Sequence, residues 1–473
     1  MLISFGGTSA LNYSFSIIMG WLLLPGDFGW LAFAQATILV AGLVLQQGFT
    51  WSLARAVANA NGSRRDALVR GALVANLVLA LAMGATVGCL YVAGPLRTGL
   101  ETGTVAAIVA LTFLFISLAA TARGCAQGSE RFVMVASLQV TEIVCKVLGG
   151  TALVLLGFGA TGAVAGFLIG GMAATALGFY YLVGRLGVRL DGRVELPSLR
   201  LAGPMFVALL GVSLLLNLDL AALKLFTHER ALVGYYQAGL VLANAPYYLV
   251  TVSFIQVLFV RLARLRDLTA TQEAVGEALS LVATLILPIE IVLMIVPEQA
   301  LLALFPDSYA SDASALQLLA IGNALLIVVA ILSAAFQAVG RAKVPALLLL
   351  TIVSLESLAL RVVVPTREAI GAASVFTAAA AIALLALGAL YLREAGLQAI
   401  VRVAAWLSRY AAAVGIGSAA GYVMFGLNLN VGLAIVLGGT CYLVAVLALG
   451  LIDPLALLGR MRLSRRTEIS DEA

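Results

Sequence analysis

Apolar runs of about 20 residues, the length that carries a helix across roughly 30 Å of hydrocarbon, follow one another from Leu2 to about residue 452. No polar stretch between them is long enough to fold by itself. Of the 473 residues, 62% are hydrophobic and 11% charged, with a mean hydropathy of +1.09, whereas a soluble domain is usually about a quarter charged. The chain therefore reads as an all-α polytopic membrane protein whose function lies within the bilayer. The first run has no basic segment ahead of it and no small-residue cleavage pattern behind it, so it is expected to remain a span. Cys89, Cys125, Cys145 and Cys441 fall in or beside apolar segments without CxxC or CxxH spacing. This predicts packing thiols and neither disulfides nor a metal site.

Length and the punctuation by Gly, Pro and Arg predict about fourteen spans: 2–24, 29–54, 68–94, 103–124, 132–156, 160–184, 200–225, 231–260, 273–296, 313–339, 344–364, 369–392, 399–425 and 430–452. Basic residues favour the cytoplasmic side of short loops. One set of connections, with the tail, holds 22 Lys and Arg; the other holds only Arg97, Lys224, Arg230, Arg361 and Arg367. The remaining basic residue is Lys146, inside a span. The alternation predicts cytoplasmic termini in a bacterial inner membrane. The net charge of +5 is then a topology signal rather than a sign of nucleic-acid binding, and the Arg-rich tail would meet anionic headgroups.

The chain also echoes itself. "LNYSFSIIMGWLLLPGDFGW" (11–30) matches "LNLDLAALKLFTHERALVGY" (216–235), with Asn12 and Gly29 repeated as Asn217 and Gly234, each 205 residues on. The hairpin "QGSER" returns as "VGRAK", pairing Gly128 with Gly340, and "FGATGAVAG" (158–166) is echoed by "EAIGAASVF" (368–376). Near-constant offsets predict a duplication. The expected units are a six-helix lobe at 1–192, its repeat at 193–395, two added helices at 396–455 and a basic tail at 456–473. Because each lobe has six spans, the repeat axis should lie along the membrane normal.

With this layout the chain resembles the polysaccharide flippase branch of the multidrug, oligosaccharidyl-lipid and polysaccharide exporter superfamily. The resemblance rests on "LLLPGDFGWLAFAQA" (22–36), "ARGCAQGSERF" (122–132), "GFGATGAVAGFLIG" (157–170), "NLDLAALKLF" (217–226), "VGYYQAGLVLANAP" (233–246) and "ALFPDSYASDASALQLLAIG" (303–322). It implies two pseudo-symmetric six-helix bundles in a V-shaped transporter fold. It also implies alternating access that moves an undecaprenyl-diphosphate-linked sugar between leaflets, as a monomer, with H+ or Na+ as a possible coupling ion. The competing fold for duplicated six-helix halves, the major facilitator type, would carry a glycine and aspartate motif where this chain reads "NGSRRDALVR".

Charges inside the spans are the candidate site residues. A charge at the bilayer centre costs about 2.5–3.5 kcal/mol on insertion scales, whereas an i,i+4 Glu–Lys pair returns roughly 0.2–0.5 kcal/mol. Glu142 and Lys146 therefore do not balance each other alone. They are expected either to face a wet cavity, Lys146 meeting a substrate anion, or to form a structural pair between helices. Asn217 and Asp219 are candidates for substrate or coupling-ion contact, with a structural hydrogen bond as the alternative. Glu290 follows Pro288, which frees carbonyls beside a carboxylate, so it is a second ion-coupling candidate. Gln237, Asn244 and Tyr248 share one helical face suited to sugar rings, while Tyr235 and Tyr236 fit an interfacial belt equally well. Arg123 and Lys224 read as interfacial anchors, and Glu356 and Arg361 as imperfect helical partners. His228, the sole histidine, is given no role.

No nucleophile triad, metal cluster or GxxxxGK[ST] loop is present, so no cofactor and no enzymatic activity are expected. A membrane-embedded glycosyltransferase would need a large outer loop, and the longest, near 297–312, has about sixteen residues. A lipid-linked oligosaccharide flippase would show a wide cationic cavity. A cation-coupled exporter of drugs or small molecules would show a narrower acidic one.

Overall fold

The computed structural model describes residues 2–60, 62–92, 102–197, 203–227, 229–251, 268–395, 397–426 and 431–451, with a few helical residues between 254 and 262. The expected tail at 456–473 and His228 lie outside the described residues. Among the described residues there are helices and turns and no strand.

The helices are α1 Leu2–Leu22, α2 Pro25–Ala58, α3 Gly62–Val92, α4 Thr102–Gly128, α5 Phe132–Leu153, α6 Gly159–Phe179, α7 Gly203–Leu215, α8 Leu218–Phe226 and α9 Arg230–Pro246. They continue as α10 Leu268–Ile295, α11 Pro297–Leu304, α12 Ala313–Ala338, α13 Lys343–Ala395, α14 Leu397–Gly426 and α15 Val431–Ala448. Seven stretches of the described helices, or eight with the bent pair α7 and α8 taken together, are long and apolar enough to cross a membrane. Two of these stretches each contain a reversal. Between α5 and α6 the chain turns at Gly157 and Gly159, both with positive φ. Within α13 it turns at Glu368, φ 46°, and a Cβ on Gly371 would lie 3.1 Å from Val363, eight residues back. The expected single seventh span is broken: α7 and α8 meet at 46° around Leu216 and Asn217.

One set of helices packs α2 on α3 and α4, α4 on α6, α5 on α6 and α1 on α5; another packs α7, α8 and α12 on α13, and α10 on α12. The sets meet mainly where α2 lies along α9. There Gly29 and Gly234, the two glycines matched by the internal echo, lie back to back. A Cβ on Gly29 would stand 2.7 Å from the Gly234 nitrogen, and one on Gly234 only 1.9 Å from the Pro25 carbonyl oxygen. Only glycine permits this approach, the small-residue device of membrane helix packing. The predicted boundary at 192/193 falls within a strap, residues 186–195, bound to α3. Arg70 donates to the carbonyls of Arg189 and Arg193, and Arg64 pairs with Glu195 at 3.1 Å.

Corresponding details recur in the two sets. The Thr175 hydroxyl donates to the Phe115 carbonyl at 2.6 Å, and the Thr377 hydroxyl to the Leu318 carbonyl at 2.7 Å. The hairpin after α4 closes with Arg131 N–H to Ala126 O and Glu130 N–H to Gln127 O; the one after α12 closes with Arg341 N–H to Phe336 O and Gly340 N–H to Gln337 O. The left-handed residue is Glu130 in the first and Gly340 in the second. The register of this pair of turns is thus 210 residues, which corrects the pairing of Gly128 with Gly340.

Candidate functional site

Three helices each turn one face to a common cavity of about 140 Å³. From α1 come Ser9, Asn12, Tyr13 and Ser16, and from α2 Ala32, Gln35, Ala36 and Leu39, both at the 3, 1, 3 spacing that lines up one side of a helix. From α9 and the wide turn after it come Gln237, Leu240, Val241, Asn244 and Tyr248. The α7–α8 break delivers Leu216, Asn217 and Leu220; α5 adds Lys146 and α6 adds Phe167. The wall is thus rich in amides and hydroxyls, with one cation and no carboxylate among these lining residues.

Lys146 is 5% exposed. Its ammonium donates to the Asn12 side-chain oxygen and sits over the rings of Phe15 and Phe167, 4.9 and 4.7 Å from their centres. Each ring returns about 0.5–2 kcal/mol and a hydrogen bond involving a charged group about 1.5–3 kcal/mol. Together they are large enough to offset the insertion cost that Glu142 alone could not. The geometry follows from local sequence: Gly166 and Gly170 let α6 lie directly on the Glu142–Gly150 stretch of α5. A Cβ on Gly170 would stand 2.3 Å from the Glu142 carbonyl oxygen. Phe167, next to Gly166, is thereby brought over the ammonium.

Glu142 does not line the cavity. It pairs with Arg123 of α4 at 3.0 Å, and Arg123 donates to the Gln46 side-chain oxygen, also at 3.0 Å. Both expectations are corrected here: Arg123 is mostly buried in an ion pair rather than free as an anchor, and Glu142 belongs to it rather than to the cavity.

The cavity brings together Lys146, Asn217, Gln237, Asn244 and Tyr248 of the predicted residues. It adds Asn12, Tyr13, Gln35, Ser9 and Ser16, which the sequence reading did not single out. Asn12 was findable, since the echo aligns it with Asn217. Tyr13 and Tyr248 face each other across the wall with ring centres 6.4 Å apart.

The predicted ion-coupling residues lie apart from the cavity lining. Asp219 is fully buried; the Tyr236 hydroxyl donates to one of its oxygens at 2.6 Å and the Leu220 N–H to the other at 2.8 Å. Tyr236 is therefore a buried partner, not part of an interfacial belt, while Tyr235 stacks edge-on against Tyr309. Glu356 is 2% exposed, close enough to Asp219 to interact with it, and neither of its oxygens has a hydrogen-bond donor among the described residues. No ion pair with Arg361, its imperfect helical partner five residues on, is formed among the described residues. Glu290 is 1% exposed and likewise without a donor among the described residues, near Tyr13. Lys224 lies 5.4 Å from the centre of the Trp30 ring, a contact between α8 and α2. The described residues hold no group of three His, Cys, Asp or Glu placed for a metal ion.

A family model described as a polysaccharide biosynthesis protein matches residues 18–314. Among curated proteins none matches the sequence. The fold is similar to that of the lipid II flippase MurJ in an inward closed conformation, with 13% identity, a TM-score of 0.73, and 94% of this chain and 97% of that one covered. It is also similar to the eukaryotic MATE transporter AtDTX14, at 12% identity, a TM-score of 0.60 and 82% and 93% coverage. An inward-facing multidrug resistance MATE family transporter of the MOP superfamily aligns at 16% identity, a TM-score of 0.58 and 80% and 93% coverage.

Proposed function

The chain belongs to the family of polysaccharide biosynthesis proteins, and on that premise we propose that it is a flippase for a lipid-linked oligosaccharide. The substrate is an undecaprenyl-diphosphate-linked sugar, moved from the cytoplasmic to the outer leaflet of a bacterial inner membrane by a monomer with cytoplasmic termini. The observation that carries this reading is the cavity wall: one buried ammonium, Lys146, amid amides and hydroxyls, with no carboxylate among its lining residues. A cation exporter would need the opposite polarity. Amides and hydroxyls both donate to and accept from sugar hydroxyls, and Lys146 meets the phosphoryl group.

The cavity lies between the two sets of helices, so passage of a lipid-linked oligosaccharide from one leaflet to the other requires these sets to part. The lobes are 1–192 and 193–395, with 396–455 appended. The recurring clips Thr175–Phe115 and Thr377–Leu318 support this division, as does the meeting of the echoed glycines Gly29 and Gly234, since equivalent residues meet at a pseudo-two-fold axis. Movement is driven by an ion gradient, H+ or Na+, with Asp219 and Glu290 as the coupling carboxylates. Their burial, with no cationic partner among the described residues, supports that role.

The test is equilibrium binding to the purified protein of farnesyl diphosphate and of tetraphenylphosphonium. Farnesyl diphosphate is expected to bind, Lys146→Ala to abolish binding, and Lys146→Arg to keep part of it because charge survives while geometry changes. Binding of the cation instead, or of the anion undiminished by Lys146→Ala, overturns the reading in favour of an exporter of cations.

A further inference from the structure

We propose that Arg123 is a positioning residue that keeps Lys146 available to the substrate anion by holding Glu142 away from it; the proposal rests on the function assigned above to Lys146. Glu142 and Lys146 are one turn apart on α5, the spacing at which a carboxylate and an ammonium ordinarily pair. In the fold each is held by a different partner, although Glu142 stays close enough to act electrostatically on Lys146. Lys146 is fixed by Asn12 and by the rings of Phe15 and Phe167. Glu142 is fixed by the Arg123 guanidinium at 3.0 Å, and the guanidinium is itself anchored on Gln46 at 3.0 Å.

The choice of arginine follows from this arrangement. Its guanidinium is broad enough that one nitrogen donates to Gln46 on α2 while another stands 3.0 Å from a Glu142 oxygen on α5 as an ion pair. With Arg123 removed, the partly buried Glu142 carboxylate has one cation within a helical turn, Lys146. Pairing there would neutralise the single positive charge among the cavity-lining residues. The ion pair outside the cavity thus sets the charge inside it.

Farnesyl diphosphate binding to monodisperse, folded protein tests this. Arg123→Gln is expected to weaken binding at least tenfold. Arg123→Gln with Glu142→Gln is expected to return it to within about threefold of the parent, because no carboxylate remains to compete, and Glu142→Gln alone to leave it unchanged. Should Arg123→Gln fail to fold, Arg123→Lys carries the test: a point charge cannot span both partners, and binding should fall by an intermediate factor. Parental binding by folded Arg123→Gln or Arg123→Lys, or a double variant as weak as Arg123→Gln, shows a merely structural pair and overturns the proposal. Loss of the probe's dependence on Lys146 in the parent protein instead overturns the functional reading on which it stands.

Discussion

Lys146 was legible as a candidate site residue because a lone ammonium in an apolar run carries an energetic debt that the sequence alone leaves open. What offsets it was not legible: Asn12, Phe15 and Phe167 are ordinary residues until three helices bring them to one point. Arg123 was misread for a related reason. An arginine near the end of a span fits the positive-inside pattern and a buried ion pair alike, and only the position of Glu142 across the helix interface distinguishes them. Asn12→Asp places a carboxylate where the amide oxygen now accepts from Lys146. The expected outcome is a folded protein that no longer binds farnesyl diphosphate, read by titration. Tyr236→Phe removes the hydroxyl donor to the buried Asp219. An unmet buried acceptor costs about 1–3 kcal/mol, so the variant should lose that much stability in thermal unfolding while its cavity wall is unchanged.

Helix existence and most breaks followed from apolar length and punctuation, because a bilayer requires backbone groups to be satisfied within each segment. The bend at Asn217 did not, since nothing in "LLLNLDLAAL" separates a continuous span from a broken one except the helices packed around it. The hairpin after α4 places Glu130 at φ 57° where the equivalent turn has Gly340. A non-glycine residue there costs about 1–2 kcal/mol, and Glu130 is exposed. Glu130→Gly should therefore stabilise the protein by up to about 1 kcal/mol, measured as a rise in its unfolding midpoint. Gly234→Ala acts oppositely: its Cβ would meet the Pro25 carbonyl, and such overpacking costs roughly 1–3 kcal/mol. Spin labels at Leu24 and Glu229, flanking the seam, should move apart in this variant. An unchanged distance distribution would show that α2 and α9 are not held by this contact.

For the molecule as a whole, the sequence carries short echoes about 205–212 residues apart, on which the two proposed lobes rest. The structure adds contacts that only folding could reveal: matched glycines touching at the seam, matched threonine clips, and Asn12 and Asn217 lining one cavity. The substrate was not legible, because a cavity of about 140 Å³ records the polarity of its wall and not the shape of what enters it. Energy coupling belongs to this scale as well. Asp219→Asn combined with Glu290→Gln should slow transport and remove its sensitivity to ionophores; transport that keeps both rate and sensitivity would exclude these carboxylates. The central claim is tested most directly by reconstituting the purified chain in liposomes with a fluorescent undecaprenyl-diphosphate-linked oligosaccharide and following its loss from one leaflet with a membrane-impermeant quencher. The account predicts that the protein speeds leaflet exchange well above protein-free liposomes and that Lys146→Ala returns it to that background. Exchange no faster than in protein-free liposomes, or equally fast with Lys146→Ala, would contradict it.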